Sequence, residues 1–149
     1  MLSQPQLPEF AAASWYSDPS DHRCPHDAWL ETLEISAPAE DERKEKRQTA
    51  ITVRLLGAYH DGHIVFRYVG AKKYSMASGS CERGLDDWLR DELSHSSEGL
   101  LVHRIVWAGF GPEEESQWSI EAESVSYQWL LQRANPPPEP IPQARDGSS

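Results

Sequence analysis

The sequence predicts a mainly β (or α+β) domain, built as an antiparallel meander of about seven or eight strands that form a curled sheet or half-barrel. At most one or two short helices are expected. Three observations lead to this fold class: apolar and polar residues alternate along short segments, tight-turn residues separate them, and six tryptophans are spread along the 149 residues. Alternation with a period of two is typical of strands that bury one face and expose the other.

The alternating segments follow one another along the chain. In most of them every second side chain is apolar, as at Ile64 and Phe66. These segments are residues 29–35, 51–55, 63–68, 100–107, 118–122 and 125–129. Two connections favour antiparallel pairing, because Asp61-Gly62 is a strong hairpin signal and the charged stretch 40–47 fits a solvated loop between the first two strands.

Residues 85–95 fit two kinds of element. Their leucines and tryptophan are spaced three, one and four apart, which suits an amphipathic helix, whereas alternate positions are half apolar, as in a strand. A turn at residues 97–99 joins this stretch to the plainly alternating residues 100–107. We therefore expect a strand over residues 85–95, with a helix as the alternative.

The chain divides into one folded domain and two tails. Residues 1–13 and 133–149 hold few large apolar side chains, and the C-terminal stretch contains five of the eleven prolines. Such segments bury too little apolar surface to offset the entropy of ordering them. We expect a flexible N-terminal segment over residues 1–13, a single β-rich domain over residues 14–132 and a Pro-rich disordered tail over residues 133–149.

Negative charge belongs to the domain and not to the tails. The chain carries 14 Lys and Arg against 24 Asp and Glu, a net charge of −10, and residues 14–132 contain 12 basic and 21 acidic side chains. Affinity for nucleic acid comes mostly from clustered basic residues, so no nucleic-acid partner is expected.

The apolar stretches are short. None approaches the ~20 residues of a membrane-spanning helix or the ~7–15 residues of a secretory signal, so no membrane partner is expected. We expect a cytoplasmic protein in which Cys24 and Cys81 are free thiols, because one pair of cysteines in a chain of this length is no disulfide framework.

An acidic and aromatic patch is the first candidate site. Carboxylates surround a tryptophan in residues 86–92, and such a surface would attract a basic protein and hold it through the aromatic side chain. The candidate contact residues are Asp86, Asp87, Trp88, Asp91 and Glu92. A solvated strand face is the simpler interpretation of the same charges.

A small metal-binding or hydrolytic site is the alternative. Two short segments contain His, Cys and Asp, all of which are zinc ligands. Its residues would be His22, Cys24 and His26 from the first segment and His60, Asp61 and His63 from the second. The site requires the two segments to meet in space. The sequence contains no nucleophile elbow, phosphate-binding loop or zincin motif, so no cofactor and no catalytic residue is predicted.

The order of motifs resembles that of a family of small bacterial β-rich proteins. The stretches that carry the resemblance are HDAWLETLEI, RLLGAYHDGHIVFRY, DDWLRDEL, LVHRIVWAG and WSIEAESVSYQW, within about residues 22–130. Some similar small acidic proteins are encoded beside polymorphic toxins and are thought to act as immunity proteins. The resemblance thus implies a β-rich fold and a toxin-like partner, and it implies no catalytic residues.

Three functions are compatible with the sequence. The leading hypothesis is a non-enzymatic protein–protein interaction module, such as an acidic immunity-type inhibitor of a basic toxin. The second is the metal-binding or hydrolytic domain. The third is a curled sheet in which Trp and Tyr line a pocket for a small ligand.

Overall fold

The computed structural model describes residues 6–38, 47–78, 86–109 and 115–132. This part of the chain contains six β-strands, one short α-helix and one 3₁₀ turn. In chain order they are α1 (Glu9–Ala12), the 3₁₀ turn (Ser14–Ser17), β1 (Trp29–Ser36), β2 (Ala50–Leu56), β3 (Gly62–Met76), β4 (Asp87–His95), β5 (Leu101–Ala108) and β6 (Glu115–Leu131). The predicted β-rich fold class is confirmed.

The six strands form one antiparallel sheet with the order β1-β2-β3-β6-β5-β4. The sheet curls until its first and last strands meet, and they pair only at Trp29 and Asp87. The Trp88 N–H donates to the Ala28 carbonyl at 2.9 Å beside this pair. Beyond this contact no ladder between β1 and β4 is seen in the described ranges, so the sheet is ring-like without being continuously closed.

The strands are fewer and longer than the pattern suggested. β6 runs without a break through residues 118–122 and 125–129, which the sequence presents as two segments. β3 continues past Tyr68 to Met76, with a positive φ at Gly70 and a register shift before Lys73. The ambiguous stretch forms strand β4, because it pairs with β5 along its whole length.

Large apolar side chains fill the inside of the curled sheet. Trp88 stacks on Phe66 with 5.1 Å between the centroids, and Trp107 meets Trp88 edge-on at 5.4 Å. The other fully buried members include Ile51, Val53, Leu55, Ile64, Tyr68, Ile105 and Ile120. Aromatic side chains of this size bury about 150–250 Å² each, which explains how a chain with 38% hydrophobic residues builds a core.

A β-bulge in β4 changes which of its side chains face inward. The register against β5 shifts between Trp88 and Arg90. As a result Trp88 and Asp91, three positions apart, both point toward the inside, whereas Arg90 and Glu92 are exposed. Strict alternation would place positions three apart on opposite faces.

The N-terminal segment, residues 6–28, covers one end of the curled sheet, which we call the closed end. Phe10 lies 5.8 Å from Phe66 and 5.6 Å from Tyr127, measured between centroids. The Tyr127 hydroxyl donates to the Arg23 carbonyl. The packed part of the chain therefore begins before residue 14, the boundary that composition suggested, because Phe10 supplies apolar surface to the core.

Several expectations fall on residues outside the described ranges, namely the Pro-rich tail, Cys81 and most of the charged stretch 40–47. The strands on either side of that stretch, β1 and β2, do pair antiparallel. Among the helices of the described part of the chain, none is long and apolar enough to cross a membrane.

Candidate functional site

The inner face of the sheet is exposed where β1 finishes, at what we call the open end. Leu33 pairs with Val53 and Ile35 with Ile51, so all four side chains face inward. Yet Leu33 and Ile35 are 38% and 42% exposed, whereas Val53 and Ile51 are 0% exposed. β1 separates from β4 after Trp29, and its inner face is left accessible.

Of these side chains, Leu33 borders a cavity of about 210 Å³, which we call the open cleft. Its lining is mostly apolar and consists of Leu30, Leu33, Met76, Ala77, Ser78, Asp86, Trp107 and Trp118. The Trp118 indole N–H donates to the Ala77 carbonyl at 3.1 Å, which fixes one wall. The open cleft is thus lined by residues of β1, β3, β5 and β6 together with Ala77, Ser78 and Asp86 from the connection between β3 and β4.

Two polar groups belong to the lining of the open cleft. Trp107 is 1% exposed, and its indole nitrogen has no hydrogen-bond partner within the described ranges. The Asp86 carboxylate accepts a hydrogen bond from the Ser116 hydroxyl at 3.0 Å. A buried donor without a partner costs about 1–3 kcal/mol, so a bound group with an acceptor would be favoured here.

Three carboxylates lie where β1 and β4 meet, next to the open cleft, and we call them the acidic rim: Asp27, Asp86 and Asp87. Partial burial raises the pKa of Asp87, and the negative charges of Asp27 and Asp86 raise it further. The nearest basic group recorded on this rim is His26, whose Nε2 is 3.5 Å from the Asp27 carboxylate. Like charges held together in this way favour the approach of a cation.

A chain of hydrogen bonds crosses the inside of the sheet. The Tyr68 hydroxyl is 2.6 Å from His103 Nδ1, and His103 Nε2 is 2.7 Å from Asp91 Oδ2. The Tyr16 hydroxyl donates to the same Asp91 oxygen at 2.6 Å. These hydrogen bonds connect the N-terminal segment to β4, β5 and β3, because they involve one residue from each.

Burial determines the state of the two phenols in this hydrogen-bond chain. Tyr68 is fully buried, and its hydroxyl has His103 Nδ1 as its recorded partner. Burial raises the pKa of Tyr16 and of Tyr68, and the charge of Asp91 raises both further, so the two phenols remain donors.

The predicted acidic and aromatic patch is not a single surface. Trp88 is 2% exposed and belongs to the core, so it cannot serve as the surface contact we expected. Asp91 faces inward toward His103, and Glu92 lies on the opposite, exposed face of β4. Only Asp86 and Asp87 lie together, at the acidic rim. The β-bulge after Trp88 is the physical reason, because it brings Trp88 and Asp91 to the inner face.

The six residues of the metal-site alternative do not converge. His22 contacts the Asp61 carboxylate, so the two segments do meet, but at this one pair. The other members have separate neighbours: Cys24 the Tyr16 carbonyl, His26 the Leu89 carbonyl, His60 the Trp29 indole and His63 the Glu31 carboxylate. In the described ranges no group of three or more His, Cys, Asp or Glu could hold a metal ion.

Sequence reasoning missed the residues that matter most in this geometry, His103 and Trp107 among them. His103 stands between Leu101 and Ile105 in the inward positions of β5. A histidine at one of the alternating positions that are otherwise apolar was the signal in the sequence that could have identified His103. No comparable signal marks Leu33, because its exposure depends on where β1 separates from β4.

Comparison with protein-family models and with curated proteins gives no match for this chain.

Proposed function

We propose that the protein is a non-enzymatic interaction module that binds a basic protein through the open cleft and its acidic rim. The exposure of Leu33 in the open cleft, which Asp86 of the acidic rim also lines, is the observation on which the proposal rests. Exposed apolar surface rimmed by polar residues is typical of binding sites. Carboxylates at the rim would speed the approach of a positively charged partner and disfavour others.

The size of the open cleft favours a protein side chain over a small molecule as its occupant. Pockets for small molecules usually measure about 300–1,000 Å³, whereas the open cleft measures about 210 Å³. One large side chain suits this space, and Trp, Tyr and Arg are the residues that contribute most to binding in interfaces.

The charge of the domain supports a basic partner as well. Its 21 acidic and 12 basic side chains give a negative field that acts over a longer range than direct contacts. The most concrete form of the proposal is an immunity-type inhibitor, the role implied by the resemblance. In that role the acidic rim would occupy the basic groove with which a toxin receives its own substrate.

The proposal is tested by capturing partners of the immobilised full-length protein from a lysate of its native host. Mass spectrometry identifies what is retained, and elution over increasing salt measures the electrostatic contribution. We expect a protein rich in Lys and Arg that elutes as salt rises. Retention of neutral or acidic proteins alone would contradict the proposal.

Variants used in the same capture experiment identify the surface that binds the partner. Leu33→Ser with Ile35→Ser removes exposed apolar area from the inner face of β1 at the open end, and Asp86→Asn with Asp87→Asn neutralises two rim carboxylates. Both pairs should reduce capture at least tenfold. The matched control is Glu92→Gln, which removes one negative charge from the outer face and should leave capture unchanged. Equal capture by all variants would place the partner elsewhere.

A further inference from the structure

A cavity of about 360 Å³ lies between the N-terminal segment and β4, and we call it the Asp91 crevice. Its volume falls in the range of small-molecule sites. It is separate from the open cleft, since the two linings share no residue. The lining residues that bear on its chemistry are Tyr16, Cys24, His26, Trp88, Asp91 and Leu93.

Asp91 places a negative charge in the wall of this crevice. Its two recorded hydrogen bonds, from Tyr16 and from His103, both end on Oδ2, and within the described ranges none reaches Oδ1. The side chain of Asp91 is 13% exposed, so a small molecule can reach it from the crevice.

The basic residues nearby are directed to other groups. Arg90 also lines the crevice, but its guanidinium is 3.3 Å from the Glu115 carboxylate. His26 is bonded through Nδ1 to the Leu89 carbonyl, and its Nε2 lies toward Asp27. Asp91 is therefore a largely buried carboxylate with one oxygen left for a further donor, and such a group favours an added cation.

The other walls suit a short alkyl chain. Trp88, Leu93 and Pro25 offer apolar surface, and Tyr16 and Trp88 offer aromatic faces that attract cations within about 6 Å. Burial raises the pKa of the Cys24 thiol, and the thiol donates to the Tyr16 carbonyl, so Cys24 adds no second negative charge. The crevice combines one anionic point with an apolar body.

We propose that the Asp91 crevice binds a small organic cation, a primary alkylammonium ion. Its ammonium group donates to Asp91 Oδ1, and its alkyl chain packs against Trp88 and Leu93. This site does not depend on the proposed partner of the open cleft, because it lies at the closed end and uses different residues.

Titration calorimetry of the full-length protein with butylammonium chloride tests the proposal. We expect saturable binding at one site, with no binding of 1-butanol, which has the same alkyl chain without the charge. Nα-acetyl-lysine methylamide distinguishes the source of the cation. Weaker binding than butylammonium indicates a free amine as the natural ligand, and tighter binding indicates a lysine side chain.

Asp91→Asn is the decisive variant. An asparagine oxygen can still accept from Tyr16 and His103, so the fold is retained while the charge is lost. We expect at least a tenfold loss of butylammonium affinity, against less than a twofold change in Glu92→Gln, which removes a neighbouring exposed charge. Equal losses in the two variants would overturn the proposal, because they would show attraction by net charge alone.

A measurement on the unaltered protein keeps the test independent of how Asp91→Asn folds. In a ¹⁵N NMR titration, butylammonium should shift the Leu93 amide and the Trp88 indole signal and leave the Leu33 amide in place. Shifts confined to the open cleft, or no shift near Asp91, would overturn the proposal.

Discussion

The two ends of the curled sheet are built from the same alternating strands, yet only one of them is covered. At the closed end, Phe10 and Tyr16 pack on Phe66 and complete the core. At the open end, Leu33 and its neighbours face inward without a covering element in the described ranges. Burial in a sheet thus depends on what lies across from a strand as much as on the strand's own pattern. The contrast places the packing that completes the core at the covered end and the proposed protein partner at the open end.

The largest expected loss of stability comes from a substitution in the core, which both ends of the sheet share. Trp88→Ala removes an indole that stacks on Phe66, and substitutions of this kind cost about 3–5 kcal/mol of unfolding free energy. Leu33→Ala at the open end should cost less than about 1 kcal/mol, because an exposed side chain leaves little cavity. Urea denaturation of both variants measures the difference. Similar losses would show that Leu33 is as well packed as Trp88 and would remove the contrast.

Loss of the internal hydrogen-bond chain should have the second largest effect on the unfolding free energy. Tyr68→Phe leaves one nitrogen of the buried His103 without a partner, which costs about 1–3 kcal/mol. Tyr74→Phe is the matched control, since the Tyr74 side chain is exposed at the open end. We expect almost no change for that variant in the same urea experiment. An equally large loss of unfolding free energy in Tyr74→Phe would contradict a stabilising role of the internal hydrogen-bond chain.

The covering segment itself gives a smaller effect. Phe10→Ala removes a half-buried side chain, and we expect a loss of about 1–2 kcal/mol, roughly half that of a fully buried phenylalanine. Limited proteolysis should then cut the N-terminal segment faster, because its contacts with Phe66 and Tyr127 are gone. Leu7→Ala changes an exposed residue of the same segment and should alter neither quantity. Unchanged proteolysis of Phe10→Ala would show that the closed end does not depend on this contact.

The smallest effect concerns the acidic rim and depends on pH. Partial burial and the charges of Asp27 and Asp86 make the pKa of Asp87 higher in the folded protein than in the unfolded chain. Folding therefore gains stability at low pH, and that gain disappears as the pH rises through the raised pKa. Asp87→Asn should be more stable than the natural protein at pH 7 by at most about 1 kcal/mol, because solvent screens a partly exposed group.

Unfolding free energies at pH 7 and pH 4 check the sign of that effect. The advantage of Asp87→Asn should shrink at pH 4, where the unfolded and folded carboxyl groups both bind protons. An advantage that grows at pH 4 would contradict the assigned direction. Glu92→Gln serves as the control for removal of one negative charge from β4.

Much of the fold followed from the sequence because inward and outward residues alternate so regularly. In β2, β3 and β5 the buried positions are the ones that the period of two indicates, among them Val53, Phe66 and Ile105. The strand count was less predictable, since β6 crosses residues 123 and 124 without interruption. A break in apolar alternation does not end a strand whose backbone still pairs with a neighbour.

The candidate sites were less predictable, and β4 shows why. The bulge after Trp88 moves Asp91 to the inner face, and nothing in the local residue pattern announces such a shift. The open cleft and the Asp91 crevice are both made of residues far apart in the chain. Their composition becomes visible only when the order of the strands is known.

The contact between the first and last strands of the sheet has a consequence for how the chain folds. Ala28 meets Trp88, 60 residues further along the chain, and Tyr16 meets Asp91, 75 residues further. Loops of this length are slow to close, and long-range contacts delay folding. During synthesis, a chain that has not yet reached β4 lacks both of these partners, and the contact of Phe10 with Tyr127 needs β6 as well. The aromatic residues made first therefore complete their packing only after β6 has been made.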